Sequence, residues 1–365
     1  MGNSVRAVEA QETVRIVPGR DSHGQDVFAF LVKRSYRFDA QGECHRISPD
    51  EPFAEVDSYW GEPGASSPRS EADIAPYKPA TDIVVIGKVH APHGTPVACT
   101  EASIEVGDVR KTIAVFGDRG AMLEGNGKTP RYSDPTLFTE LPLLYERAYG
   151  GADTTGELDF AYPRNPVGRG LVLQDSANRT VELPNFEDPD DLLTPERLIL
   201  GNVKRWSRQP LPQGAGWFAK TWYPRMSFVG VIPGFVDADE IMPEEALGLV
   251  PRNQIALGRQ FRLPSFDVRF NNGASPGLAL PHLAGTEAVR LLNLSKDGDV
   301  RFRLPGDRPT IVADIGRGES APEAVLHSVV IEPEHRRVDL VWRGSLAYPG
   351  AAWLPHMRRL AGWVA

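Results

Sequence analysis

The run Val97–Phe116, VACTEASIEVGDVRKTIAVF, is two β-rich segments joined by Gly107-Asp108. A two-residue turn of this kind matches the right-handed twist of the strands on either side, so the run reads as a β-hairpin. The same grammar recurs toward the C-terminus. Ala288–Leu294 and Val300–Leu304 flank Asp297-Gly298, and Val325–Ile331 and Arg337–Trp342 flank Pro333-Glu334-His335. Toward the N-terminus, Asp26–Phe38 (DVFAFLVKRSYRF) places Phe28, Phe30, Val32, Tyr36 and Phe38 on one parity, a half-buried strand interrupted by Arg34. Ile83–Val89 is nearly continuous in β-branched residues and predicts a strand covered on both faces.

The 365 residues suffice for a sizeable core. Glycine (35) and proline (32) are about 18% of the chain, above the usual ~12%, which favours short strands and turns over long helices. The expected fold is therefore mainly β: a sandwich-like body of short antiparallel strands, with long ordered loops and a few short helices. Smaller features fill in around it. Gln41-Gly42 is a turn, Ser58–Arg69 a loop, Gly117–Thr139 patternless, Thr180–Leu183 extended, and Thr194-Pro195-Glu196 the start of a short helix. Asp237–Leu247 reads as a broken acidic helix, Gln260–Phe270 as a segment including an edge strand, and Ala351–Val364 as an amphipathic helix starting after Pro355. Two organisations are open: parts 1–183 and 184–365, divided in the weakly patterned Pro184–Pro212 region, or one interwoven domain.

The longest loop is Leu141–Gly170, LPLLYERAYGGADTTGELDFAYPRNPVGRG. Gly150-Gly151 permits positive φ, and Pro163 and Pro166 exclude a central strand or helix interior. Tyr145, Tyr149, Phe160 and Tyr162 are too apolar for a solvated segment. A second aromatic-rich stretch, Asn202–Arg225, carries Trp206, Trp217, Phe218, Trp222 and Tyr223 and must bury that area against something.

Several catalytic patterns fail on their own chemistry. Gly273-Ala274-Ser275-Pro276-Gly277 matches a nucleophile elbow, but Pro276 lacks the N–H that the oxyanion hole requires. Gly127-Lys128-Thr129 ends like a phosphate loop, yet Met122 stands where the first glycine belongs. His90 and His93 have no neighbouring ligand at a familiar zinc spacing. The carboxylates between Asp237 and Glu245 read as a solvated face. Lys78 and Asp82 either close a turn as an ion pair or shape the edge of a partner site. No cofactor is expected.

A net charge of −8 argues against nucleic-acid or anionic-membrane partners. Thirty-two of the 40 basic residues are arginine, which a biased genome composition would also produce. No run approaches the ~20 apolar residues of a membrane span. The first ten residues lack a signal-peptide core and, with Arg6, a myristoylation pattern, so a cytoplasmic location is expected. Cys44 and Cys99 are expected to be free thiols there.

KPATDIVVIGKVHAPHG (Lys78–Gly94), FGDR (Phe116–Arg119), YPRNPVGRG (Tyr162–Gly170), LPSFDVRFNNGA (Leu263–Ala274), LLNL (Leu291–Leu294) and VDLVWRG (Val338–Gly344) together resemble the family called domain of unknown function 2169. The resemblance runs from about Phe28 to Gly344. It implies a bacterial, non-enzymatic adaptor or chaperone that binds a type VI secretion effector and assists its loading onto the secretion spike protein. The family has no established catalytic residues to carry over. Tyr and Arg are the residue types that most often carry interface energy. The expected partner-binding set is therefore Arg147, Tyr149, Arg164, Asn165 and Arg169; the other reading of the same loop is a structural one, held in place by arginine–backbone hydrogen bonds. The alternative is a hydrolase or carbohydrate-active enzyme, its site lined by the loops Tyr145–Arg169 and Trp206–Tyr223.

Overall fold

The computed structural model describes residues 8–10, 14–155, 159–175, 178–229, 267–348 and 360–364. Strands dominate, and the helices among the described residues are short 3-10 turns. The largest sheet runs in the order Val14–Arg20, Asp26–Phe38, Arg337–Ala347, Val325–Glu332, Thr81–Val85, Ala279–Leu280, with Cys44–Arg46 also pairing to Asp26–Phe38. All pairings are antiparallel except Val325–Glu332 with Thr81–Val85. A second sheet runs Phe186–Glu187, Val109–Phe116, Cys99–Val106, Ala288–Leu292, Asp299–Arg303.

The two sheets bury their facing sides in one apolar cluster. Phe30, Val32, Ile83, Val85, Ile331 and Trp342 come from the first, and Ile104, Ile113, Val115, Leu291 and Phe302 from the second. Phe38 and Phe302 stack across it with ring centroids 4.2 Å apart. This is the sandwich expected from alternating strands that each need one covered face. Strands from before and after residue 183 share both sheets, so a division at 183/184 would cut through each of them.

The hairpins form where the turn chemistry placed them. Gly107 takes φ +56° between Cys99–Val106 and Val109–Phe116. Asp26–Phe38 differs from the half-buried expectation, because partners on both edges and cover on both faces bury nearly all of it. The second face carries Ala29, Leu31, Phe53 and Val341. The predicted buried strand at Ile83–Val89 divides into Thr81–Val85, fully buried, and Lys88–His90.

Four local expectations are corrected. Ser58–Arg69 contains a small strand pair, Ser58–Tyr59 with Pro68–Ser70. Gly117–Thr139 holds the strand Gly120–Glu124, whose inward residues Ala121 and Leu123 are too few for a periodic signal. Residues 195–197 form a single turn, with Arg197 N–H donating to Thr194 C=O, and not a helix. Leu360–Val364 is a strand paired with Val8–Ala10 and Ile311–Asp314, where a helix was expected, because its backbone groups find sheet partners from both ends of the chain. The Asp237–Leu247 segment lies outside the described residues, as does most of Gln260–Phe270. The described end of the latter leads into a 3-10 turn, Val268–Asn271.

Candidate functional site

The Leu141–Gly170 loop is ordered by a buried polar and aromatic knot. Asn165, fully buried, donates through Nδ2 to the carbonyls of Tyr145 (2.8 Å) and Tyr149 (3.0 Å). Gly150 and Gly151 turn tightly around it at φ +150° and +95°, and a Cβ on Gly150 would sit 2.1 Å from the Asn165 carbonyl oxygen. Tyr149, Tyr162, Trp206 and Tyr223 form a chain of edge-to-face contacts with centroids 5.0, 6.1 and 5.0 Å apart. Arg164 lies 5.0 Å from the Trp206 ring centroid and donates to the carbonyls of Ser207 (3.0 Å) and Gln209 (3.3 Å). The two long loops therefore pack on each other, and their aromatic area goes into a second core.

This placement divides the five residues expected at a partner surface. Tyr149, Arg164 and Asn165 are buried: Arg164 and Asn165 tie the loop together through hydrogen bonds to backbone carbonyls, and Tyr149 packs edge-on against Tyr162. Arg147 and Arg169 reach a surface depression of about 450 Å³, lined also by Asp118, Arg119, Gly120, Ser133, Thr180 and Glu182. Arg164→Ala should accordingly lower stability by about 1–3 kcal/mol through lost hydrogen bonds to buried carbonyls. Affinity for a partner should stay unchanged. Melting temperature and affinity measured on the same variant check both halves.

In the depression, Arg147 Nη1 donates to Asp118 Oδ1 and to Asn185 Oδ1, each at 3.0 Å. Arg169 Nη1 lies 3.1 Å from Glu182 Oε2 and 3.8 Å from Asp118 Oδ1, and its Nε donates to the Glu146 carbonyl at 3.0 Å. The Asn185 amide first, then Arg147 and Arg169, hold the Asp118 carboxyl below its ordinary value against partial desolvation. The arginine side chains are only 24% and 21% exposed, while Asp118 and Glu182 are 59% and 76% exposed. The carboxylates thus lie outermost, with the guanidinium groups beneath them. A second depression of about 360 Å³ shares Gly120, Ser133 and Thr180 and adds Met122, Arg131 and Tyr132. Met122 is an exposed apolar side chain pointing out of the Gly120–Glu124 strand.

Sequence reasoning missed Asp118, Arg119, Met122 and Glu182. The FGDR motif marked the first two, but without periodicity around it nothing showed that this segment meets Arg147 and Arg169.

The failed catalytic motifs have structural roles. Ser275 is fully buried; its Oγ donates to the Gly214 carbonyl (2.7 Å) and accepts from Lys111 Nζ (2.8 Å). The backbone N–H groups of Gly125 and Gly127 donate to Asp175 at 2.8 and 3.0 Å, so the loop that resembled a phosphate cradle holds the chain's own carboxylate. His90 Nε2 pairs with Glu334 Oε1 at 2.6 Å. Among the described residues no three His, Cys, Asp or Glu side chains gather as a metal site. Cys44 and Cys99 are free thiols. Lys78 Nζ lies 2.7 Å from Asp82 Oδ2 with both side chains buried, which takes the pair off any partner surface.

Burial lowers the Lys111 pKa to about 7, partly opposed by Asp188. An amine with a folded pKa below its unfolded value of ~10.4 binds fewer protons when folded between those values. Its contribution is therefore most favourable above the unfolded pKa, falls as pH drops toward 7, and levels off below. The stability difference between the wild type and Lys111→Met should shift toward the wild type by roughly 1–3 kcal/mol from pH 7 to 10. Denaturant titrations across that range check it, and a flat difference would contradict it.

The family profile described as "Uncharacterized protein conserved in bacteria (DUF2169)" matches residues 23–343. The chain belongs to the DUF2169 family. The match covers the second sheet, most of the largest sheet and the depression, so Asp118, Arg147, Arg169 and Glu182 of this DUF2169 protein all lie within the shared region. No curated protein and no solved structure matches the chain significantly. Among the described residues of the DUF2169 protein, no helix is long and apolar enough to cross a membrane.

Proposed function

We propose that the protein is a non-enzymatic adaptor that binds a type VI secretion effector in the cytoplasm, keeps it soluble and assists its loading onto the secretion spike protein. The motif resemblance supports the class of partner. The observation that carries the mode of binding is the Asp118–Arg147–Arg169–Glu182 cluster beside exposed Met122, its two arginines set on a loop locked by Asn165 and the aromatic chain. A surface already ordered in the free protein loses little conformational entropy on association. Alternating charges select a complementary partner, and methionine adapts to irregular apolar surface. The sealed Ser275 and the mutual burial of the two long loops support the non-enzymatic reading.

The test is co-expression with the effector encoded beside this gene. The effector is expected to be soluble and to co-purify with the adaptor, and mixing the two should raise the adaptor's melting temperature. An effector equally soluble alone, with no co-purification, would refute the proposal.

A further inference from the structure

A buried guanidinium is normally met by carboxylates or carbonyls, because an uncompensated buried charge is costly. Arg225 follows the rule, donating to Glu71 Oε2 at 2.7 Å and to the Phe270 carbonyl at 2.8 Å. Arg343, in the strand Arg337–Ala347, does not. It is 8% exposed and lies 4.6 Å from the Tyr77 ring centroid, and its Nε–H has no acceptor among the described residues. No carboxylate among the described residues pairs with it. Asp21 acts on it only at a distance and uses Oδ1 to accept from the backbone of His23 and Gln25.

The neighbouring strand supplies a second orphan. Pairing shifts between Leu326, opposite Trp342, and Ser328, opposite Val341, which leaves His327 as the extra residue of a β-bulge. Bulges re-aim side chains and gather near functional sites. His327 is 1% exposed. The Lys78 backbone N–H donates to its Nε2 at 3.3 Å, which leaves that nitrogen without a proton. Burial first, then the charges of Arg343, Lys78 and His282, hold the ring neutral, so its single proton sits on Nδ1. That N–H is buried and has no acceptor among the described residues. His282 stacks nearby, with ring centroids 6.4 Å apart, and is anchored by Nδ1 to the Leu326 carbonyl at 3.2 Å.

Two buried donors therefore lack acceptors on adjacent strands, one of them permanently charged. Lys78 cannot relieve them, since its ammonium is a donor too and is engaged by Asp82 and Ser328. We propose that Arg343 and His327 form a binding site for a single oxyanion, a carboxylate or phosphate group, that pairs with the guanidinium and accepts from His327 Nδ1. A guanidinium fork fits the oxygens of either group. This site is separate from the Arg147–Arg169 depression and does not depend on the adaptor reading.

The test is thermal denaturation and titration calorimetry of the full chain in chloride buffer, with inorganic phosphate or acetate added at constant ionic strength. The wild type should show saturable binding and a matching rise in melting temperature. The more effective of the two anions distinguishes a tetrahedral from a planar group. Arg343→Met should abolish the response while remaining at least as stable as the wild type in the anion-free buffer. His327→Leu, which keeps the charge and removes one donor, should bind about tenfold more weakly. Two outcomes would overturn the inference: no saturable response to either anion in the wild type, or the same response in the wild type and both variants. In either case the donors are met by ordered water.

Discussion

Asp82→Ala is expected to lower folding stability by about 3–5 kcal/mol, because it breaks a buried ion pair from one side. Asp82 is fully buried and accepts from Lys78 Nζ (2.7 Å), Asn272 Nδ2 (2.9 Å) and the backbone N–H groups of Gly273 (3.0 Å) and Ala274 (3.2 Å). Alanine would leave the Lys78 ammonium in the interior with Ser328 Oγ and the face of Trp217 as its remaining company. It would also free three neutral donors and release the 272–274 segment from the Thr81–Val85 strand. Adding Lys78→Met should recover part of the loss, since the second substitution removes the stranded charge. Urea titrations of the two single variants and the double variant give the coupling directly. Strict additivity would show that the pair does not act as a unit.

Trp206→Ala should cost about 3–5 kcal/mol, by loss of buried aromatic area and by the cavity left behind. Trp206 is the fully buried centre of the contacts that join the Leu141–Gly170 loop to residues around Tyr223, with Tyr162 on one side, Tyr223 on the other and Arg164 across its ring. Among the described residues its indole N–H has no hydrogen-bond acceptor. The contribution is therefore packing, and Trp206→Phe should retain most of the stability that alanine loses. A phenylalanine variant as unstable as the alanine variant would show that the indole N–H matters after all. Because the ring lies beneath the loop, the alanine variant should also expose the 145–170 segment to faster amide exchange.

The parts of the fold that were legible in the sequence are those specified locally. A turn residue with positive φ between two β-branched runs determines a hairpin by itself, which is why Gly107 and the strands around it form as expected. What could not be read was the pairing between distant segments. Nothing local to Asp26–Phe38 shows that Arg337–Ala347 will cover its edge, so its two-sided burial was hidden. The same limit applied to the site. Arginines in a loop look alike in sequence, and only the fold separates Arg164, tied to Ser207 and Gln209, from Arg147 and Arg169, which meet Asp118 at the surface. Tyr149 and Asn165 were likewise drawn inward, Tyr149 into the aromatic chain beside Tyr162 and Asn165 against the tight Gly150-Gly151 turn. The polar groups that stood out in the sequence thus served mainly to order the loop, while part of the exposed surface came from a segment with no pattern.

The central claim is that this surface binds a secreted effector, and it is tested most directly by titrating the effector encoded beside this gene into the wild type and into Met122→Lys. Met122 is exposed at the rim of the adjoining depression, so the substitution should leave the melting temperature unchanged. The account predicts a stable one-to-one complex with the wild type and affinity weaker by about tenfold or more, roughly 1.4 kcal/mol, for the variant. Absence of a complex with the wild type, or equal affinity for both proteins, would contradict it.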